Sequence, residues 1–410
     1  MRTYVVRLFL LSVVVGGLHR AARADEPATL DEATFVARVA AATPALALAD
    51  ADVAIERAGV IAAGVRPRPS LSIEREEVFA AGTALPEHTL RLDWPVEIGG
   101  RRGHHLDAAR LAVSAVEADG RRTHHDVLAA ALVAFDAAAA ARAVVDVLRQ
   151  ARIELVRVVD VVRSRAGAGD AAGYDLRRLE VELGMFDADL GDAEADLAAR
   201  RLDLGALVGE PGTPFDAGTA AASPPAQIAT RSDIVAAGMR VRSATAMATA
   251  ARRTWLSQIT FSVGVRTADL GSETAWGYVA GISLDLPTSD PHAAERVRSI
   301  GEAARWRAYQ TAIEVEATAA IARARTELER RHAQQATHAA GPLATIAALV
   351  PQAELAYREG DRPIGELLDV HRVAREVRLQ AVAIDAAVRR ATRSLTAATT
   401  ELALPARSTP

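Results

Sequence analysis

The chain has 410 residues, 48 basic and 52 acidic side chains, and a formal net charge of −4. That balance argues against a nucleic-acid partner, which would need a basic face. Cysteine is absent, which excludes disulfides, thiolate chemistry, cysteine-ligated metal and a lipid anchor on an N-terminal cysteine.

The first residues, Met1 to Arg7, carry two arginines, and an apolar run of about 11 residues follows from Leu8 to Leu18, ending in Ala22-x-Ala24. This layout predicts a cleaved export signal over 1–24, since a membrane span would need roughly 20 apolar residues. No later stretch reads as apolar for long enough to cross a bilayer as a helix. Aromatic residues make up only 4% of the chain, every basic residue other than histidine is arginine, and alanine is abundant. Alanine-rich helices pack closely side by side, so the composition favours long, slender helices over a large globular core.

Past the signal, the chain is written twice. Thr43-Pro-Ala-Leu46 precedes one helical stretch and Ser232-Asp-Ile234 precedes another; Ser70-Leu-Ser-Ile-Glu matches Gln258-Ile-Thr-Phe-Ser. Leu90-Arg-Leu-Asp-Trp-Pro95 matches Ile282-Ser-Leu-Asp-Leu-Pro287, and Gly169 before Asp175 matches Gly360 before Glu366. The last three offsets are 188, 192 and 191 residues, and several matches in order indicate an internal duplication. The expected units are a first repeat over 25–208, a linker over 209–230 rich in Gly, Pro, Ala and Ser, a second repeat over 231–401, and a flexible tail over 402–410.

Each repeat reads helix, strand, turn, strand, long helix, turn, helix. Alternation of period two marks the strands and places hairpins at about 69–96 and 257–287. Between strand and long helix, Gly99 and Gly100 allow the chain to turn. Heptads run from Leu106 through Val113, Val127, Leu148 and Leu155, and predict a helix over about 102–165, roughly 95 Å long. After the turn near Gly169 they resume at Leu176, Leu183, Leu190, Leu197 and Leu204; the second repeat carries Leu367, Ala374, Ala381, Val388 and Leu395 in the same register. Gly341-Pro342 and Pro351 are expected to kink the second long helix.

Four strands cannot close a membrane barrel, whose smallest examples have about eight. The hairpins must therefore pack on the chain's own helices or share a barrel with further copies. Trp94, Trp255, Trp276 and Tyr278 lie in or beside the strands, where they suit a membrane-interface girdle or, alternatively, a core.

These features together resemble the TolC-type outer-membrane efflux family. The most specific local match is Tyr357-Arg-Glu-Gly360-Asp-Arg362-Pro-Ile-Gly-Glu366-Leu-Leu-Asp369, similar to that family's segment at the periplasmic tip of its helical barrel. The resemblance implies an α+β membrane protein: long coiled-coil helices forming an α-helical barrel, and four strands per chain in a trimeric twelve-stranded outer-membrane β-barrel. It implies a homotrimer in outer-membrane lipid, working with a periplasmic adaptor (a membrane fusion protein) and an inner-membrane efflux pump. By the same resemblance Tyr357, Arg362, Glu366, Asp369 and Asp175 form a periplasmic gate, with Tyr357 donating to Asp175, Glu366 and Asp369 as acidic rings, and Gly169 and Gly360 as the helical-hairpin turns. This chain departs from the motif at Glu366, where Asp is usual, and at Tyr174, where a small polar residue is expected. On the residues alone, Gly360 serves equally as a helix cap with solvated charges around it.

Pro95-Val-Glu-Ile-Gly-Gly-Arg-Arg102 resembles a stretch common in the heavy-metal (cobalt-zinc-cadmium) branch, which points to metal-cation export, with drugs or other small molecules as the alternative. A periplasmic structural coiled-coil protein is the rival outside transport. The doublets His104-His105 and His124-His125 stand roughly 30 Å apart along one helix and read as solvated, so no metal site and no cofactor is expected. No nucleophile elbow, phosphate loop or HExxH pattern is present, and an enzyme is not expected.

Overall fold

In the computed structural model, residues 27–80, 83–168, 173–218, 231–253, 258–269, 273–284 and 292–399 are described. The expected signal, Gly169, Trp255, most of the linker and the tail lie outside them. After a short strand β1 (Ala28–Leu30) come α1 (Glu32–Ala42) and α2 (Pro44–Gly64), then the hairpin β2 (Ser70–Ala80) and β3 (Thr83–Glu97). The long α3 (Arg101–Ala168) turns back into α4 (Gly173–Leu207), and β4 (Phe215–Ala217) follows. The second repeat holds α5 (Ser232–Arg252), β5 (Gln258–Asp269), β6 (Thr274–Leu284), α6 (Ala293–His338), α7 (Ala344–Glu359) and α8 (Ile364–Thr399).

Helix α3 has 68 residues, about 100 Å at 1.5 Å per residue. Its repeat counterpart is interrupted: a π-turn over Ala339–Leu343 contains Pro342 and separates α6 from α7. Proline lacks the N–H that the helical ladder requires, and one wide turn absorbs the defect. Pro351, also expected to kink the helix, stays inside α7 without a break.

Among the described residues the hairpins do not pack along the helices. They join each other in one antiparallel sheet of order β2-β3-β5-β6, with Trp94 opposite Phe261 at the central seam. The pleat sends successive side chains to opposite faces, and the faces differ in kind. Leu71 and Ile73, Leu90 and Leu92, Val263 and Val265, and Tyr278 and Ile282 share one face, and all are exposed. Trp276 (80% exposed) and Tyr278 (84%) lie near one end of that face, and Trp94 lies at the other. Phe261, opposite Trp94, and Thr267, opposite Trp276, are six residues apart on β5, or roughly 20 Å. The other face is polar. Arg91 donates to Glu74 and Asp93, each at 3.2 Å, Ser262 Oγ donates to Asp93 at 2.6 Å, and Arg266 pairs with Glu87.

Along the helices the protomer is again four elements wide. Towards the sheet the order is α2-α3-α5-α6; towards the far tip it is α4-α3-α8-α7. The edge helices expose apolar side chains: Leu48, Ile55 and Ile61 on α2, Val297, Tyr309 and Val315 on α6, Val181 and Met185 on α4, and Leu355 on α7.

At mid-length, β4 pairs in parallel with β1, and Phe215 joins Phe35, Val39, Leu128, Phe135 and Leu204 in a buried cluster. Residues 209–218 of the expected linker are thus ordered, with β4 wholly buried. Phe35 and Phe135 meet at 5.1 Å between ring centres. Within Arg101–Gly167 one 18-residue window has mean hydropathy 1.8 and passes as a membrane-crossing helix by length and composition, contrary to the sequence expectation. The Ala-rich run near Phe135 has high hydropathy because alanine is small and apolar, yet it packs on protein and carries Asp136 in an ion pair.

That ion pair belongs to a buried junction. Arg393 on α8 donates to Glu32 on α1 at 2.8 Å and to Asp136 on α3 at 2.9 Å, which lifts the guanidinium above its ordinary range. The pairing ties the N-terminal helix to both repeats. Arg393→Met should take this partner from the buried Asp136 and the half-buried Glu32 and cost about 1.5–3 kcal/mol, read as a lower urea midpoint by helical circular dichroism; an unchanged midpoint would contradict the assignment.

Candidate functional site

The end of α3, the start of α4 and the α7–α8 turn lie at the end of the molecule away from the sheet. Val162 of α3, Leu179 and Phe186 of α4, and Ile364, Leu367 and Leu368 of α8 form one buried cluster there, with Tyr357 packed against it. Gly360 closes α7 with φ +82°, a left-handed conformation that favours glycine. Its N–H donates to Tyr357 O at 3.2 Å and the Asp361 N–H to Ala356 O at 2.9 Å, the paired bonds of a Schellman cap. Gly100 makes the corresponding turn from β3 into α3 with φ +67°, and Gly99 precedes it in the same bend.

The motif residues are placed as follows. The Tyr357 ring lies 5.6 Å from the Arg165 guanidinium carbon, and Arg165 Nη1 donates to the Tyr357 carbonyl at 3.4 Å. Burial raises the affinity of the Tyr357 hydroxyl for its proton, Arg165 opposes this and Asp175 adds to it. Asp175 is thus near, but no hydrogen bond joins it to Tyr357 among the described residues. Arg362 donates to Glu366, one turn along its own segment, at 3.1 Å. Asp369 is exposed, with Arg372 at 3.7 Å. Tyr174 stands exposed at the start of α4.

A second set of residues, absent from the motif, spans the two repeats just above this tip. Arg372 Nε donates to Glu182 of α4 at 2.7 Å and its Nη2 donates to the second carboxylate oxygen. Glu182 is only 4% exposed; the Arg372 hydrogen bond holds it below the usual carboxylate range although burial acts against this. Arg375 pairs with Asp189 and lies 4.3 Å over the Phe186 ring. Arg378 donates to Glu154 of α3 at 2.8 Å. At Glu154 burial pushes upward, but hydrogen bonds from Arg378 and Gln150 leave the carboxyl below its ordinary value. The sequence signal for this set was the spacing of three between Arg372, Arg375 and Arg378 on a predicted helix; their acidic partners, 186 to 224 residues away, had no local signal.

Trp94, Trp276 and Tyr278 project from the apolar face of the sheet and do not fill a core among the described residues. The histidines depart from expectation. His124 and His125 are buried, and His125 Nε2 lies 3.2 Å from the Ala397 carbonyl, so His125 faces α8 and not solvent. Burial also depresses His105. Among the described residues no group of three His, Asp or Glu could hold a metal ion.

His371 on α8, 3% exposed, faces Glu354 of α7 at 3.8 Å and interacts with Glu154 of α3 and Arg378 of its own helix. Burial pushes its imidazole below the ordinary value of 6.5; the two glutamates pull it up and Arg378 pushes it down. The folded tip therefore binds fewer protons here than the unfolded chain. Its contribution to stability is full above about pH 6.5 and is lost as pH falls through that value towards the depressed one. Hydrogen exchange of α8 amides, corrected for intrinsic rates, should quicken as pH falls below about 6.5. His371→Gln should flatten that dependence; an unaltered slope would contradict it.

No protein-family profile matches the sequence, and no curated protein matches it. Solved structures do match in fold. The outer-membrane channel OprN covers 90% of this chain and 90% of its own at TM-score 0.72 and 18% identity. The outer-membrane protein VceC of Vibrio cholerae covers 90% and 96%, at 0.72 and 16%. The open state of the Neisseria gonorrhoeae MtrE outer-membrane channel covers 90% and 88%, at 0.70 and 18%. The chain has, over nine-tenths of its length, the fold of TolC-type outer-membrane channels.

Proposed function

We propose that this chain is one subunit of a homotrimeric outer-membrane channel, a passive export duct with its helical barrel in the periplasm, and not an enzyme. The observation that carries the reading is the four-stranded sheet, apolar and aromatic on one exposed face, polar on the other, and ended by the edge strands β2 and β6. Strands of 11 to 15 residues suffice to cross a bilayer. An apolar band with aromatic ends suits lipid, and the polar face suits a water-filled lumen. Three copies of four strands make twelve, enough to close a barrel.

The helical edges support the same assembly. Leu48 and Ile55 on one side and Val297 and Val315 on the other leave an apolar seam that a neighbouring copy would cover, in a head-to-tail contact that closes into a ring. In such a ring Tyr357, Arg362, Glu366, Asp369 and Asp175 would surround the entrance, where a periplasmic adaptor and an inner-membrane pump would dock. As cargo we favour metal cations, on the Ile98 to Arg102 stretch; drugs or other small molecules are the second reading, supported by the same fold.

Purified protein in planar bilayers should conduct and prefer cations, because the exposed Asp369 carboxylate would be repeated threefold at the entrance. Asp369→Asn should move the reversal potential towards zero under a salt gradient; an unchanged potential would remove Asp369 from the conducting path. Deletion of the gene should sensitise cells to metal salts if cations are the cargo, and to hydrophobic drugs if the second reading holds. Loss of neither tolerance would contradict the export role.

A further inference from the structure

The sheet joins the helices through four connections, and their charge is uneven. Arg66 and Arg68 lie between α2 and β2, Arg101 and Arg102 open α3 just after β3, and Arg252 and Arg253 stand at the end of α5 just before β5. Residues 65–69, 98–102 and 252–257 thus carry six arginines and no acid, in a chain whose formal net charge is −4. The fourth connection, 285–292, carries Asp285 and Asp290 and no arginine. Arg66 and Arg68 hold the same place in the first repeat as Arg252 and Arg253 in the second, between a helix and the first strand of a hairpin.

The three basic connections are gathered at one level. Arg102 Nη1 donates to the Gly64 carbonyl at the end of α2 at 3.5 Å, and Arg253 Nη1 lies 3.5 Å from where a side chain on Gly100 would begin. Arg101 and Arg102 are half-buried and face acids: Arg101 donates to Glu295 at 2.9 Å, and Arg102 lies 4.0 Å from Glu97. Arg66, Arg68, Arg252 and Arg253 are exposed, and none forms an ion pair among the described residues. Pro67 and Pro69 follow Arg66 and Arg68, and a residue before proline is held extended, so both arginines stand clear of the helix end.

Their level decides which anion they meet. Trp94, exposed at one end of the apolar face, lies three residues before the end of β3, or roughly 10 Å. Arg68 lies two residues before the start of β2. On the outer-membrane reading above, the aromatic end of the apolar band marks the headgroup region, and the arginines then stand at the depth of the lipid phosphates. An anionic leaflet attracts basic side chains beside a membrane-crossing element, and a guanidinium fork can give a phosphate two hydrogen bonds.

We propose that Arg66, Arg68, Arg252 and Arg253 form a collar that binds the phosphates of anionic phospholipids in the leaflet on the helical side. The proposal rests on the outer-membrane duct reading. Four arginines per chain in three copies make twelve around the particle, and their lipid contacts fix the depth at which sheet passes into helix.

The test uses the protein extracted as the trimer and reconstituted in phosphatidylcholine vesicles containing either brominated phosphatidylglycerol or brominated phosphatidylcholine. Bromine on the acyl chain quenches a nearby tryptophan, so the two probes compare the lipids touching one chosen ring. Trp255→Phe, Trp276→Phe and Trp306→Phe together leave Trp94 alone; a second protein keeps Trp276 alone, at the opposite end of the sheet. At Trp94 the phosphatidylglycerol should be preferred about fivefold at low salt. That preference should fall towards one near 1 M salt, where the screening length is about 3 Å. At Trp276 no preference is expected. Arg66→Gln, Arg68→Gln, Arg252→Gln and Arg253→Gln together should abolish the preference at Trp94 in a trimer that still forms, and lysine at the same four positions should retain most of it. If the glutamine form fails to assemble, salt dependence at Trp94 against its absence at Trp276 still decides the matter. Equal affinity for both lipids at Trp94, or a preference unchanged in the glutamine form, would overturn the collar and leave the duct reading intact. An altered reversal potential with an unchanged lipid preference would put the arginines on the water-filled side and overturn it too. No quenching of Trp94 by either lipid, or a chain that never inserts, would overturn the outer-membrane reading itself, and this one with it.

Discussion

A sheet of four strands has two edges, and in a chain of this shape neither edge is covered by its own helices. Backbone N–H and C=O groups along an exposed edge invite another strand, and in lipid each unpaired group costs several kcal/mol. The same incompleteness runs the length of the molecule, because the helical layers below are also four elements wide with apolar edges. The protomer is a strip, open at both edges. Internal duplication supplies the geometry: each repeat gives one hairpin and one pair of long helices, so the strip has the same width at the sheet, in the helices next to it and at the tip.

Within the strip, apolar packing and arginine pairing divide the labour. Small and branched side chains let α3 run against α4, α5 and α8 at close range, and the few large residues gather in two places: Phe35, Phe135 and Phe215 at mid-length, Phe186 and Tyr357 at the tip. Ion pairs fasten the seams between repeats, where alanine-rich surfaces alone provide little buried area. Arg393 does so near the chain's N-terminal helix, and Arg372, Arg375 and Arg378 do so near the tip. Arginine suits these seams because its planar fork can satisfy a carboxylate with two bonds and cannot be neutralised by burial.

Much of this was legible in the residues. Period-two alternation marked all four strands, and the 188- to 192-residue offsets joined them into equivalent hairpins, because a sheet with two unlike faces must write its pattern locally. The heptads through Leu176 to Leu204 and Leu367 to Val388 likewise marked the hairpin helices. Pairing between the hairpins was not legible, since the Trp94–Phe261 register depends on strands 167 residues apart. Nor were the buried His124 and His125, which share polar letters with solvated histidines; for His125 the difference is the α8 carbonyl of Ala397 brought against it. Pro342 and Pro351 read alike in sequence, yet only the first breaks the helix; it follows Gly341, and the glycine makes the distortion easier. At the tip the motif drew attention to Tyr357, Arg362, Glu366, Asp369 and Asp175, while the ion pairs from α8 to Glu182, Asp189 and Glu154 carried no motif at all.

The central claim is that the strip is incomplete alone and closes with two further copies. Light scattering on the detergent-extracted protein, corrected for bound detergent, measures this directly. A particle of three chains, about 130 kDa of protein from the 43.2 kDa chain or slightly less after signal removal, is the predicted result. A monodisperse single chain that stays in solution without detergent would contradict it.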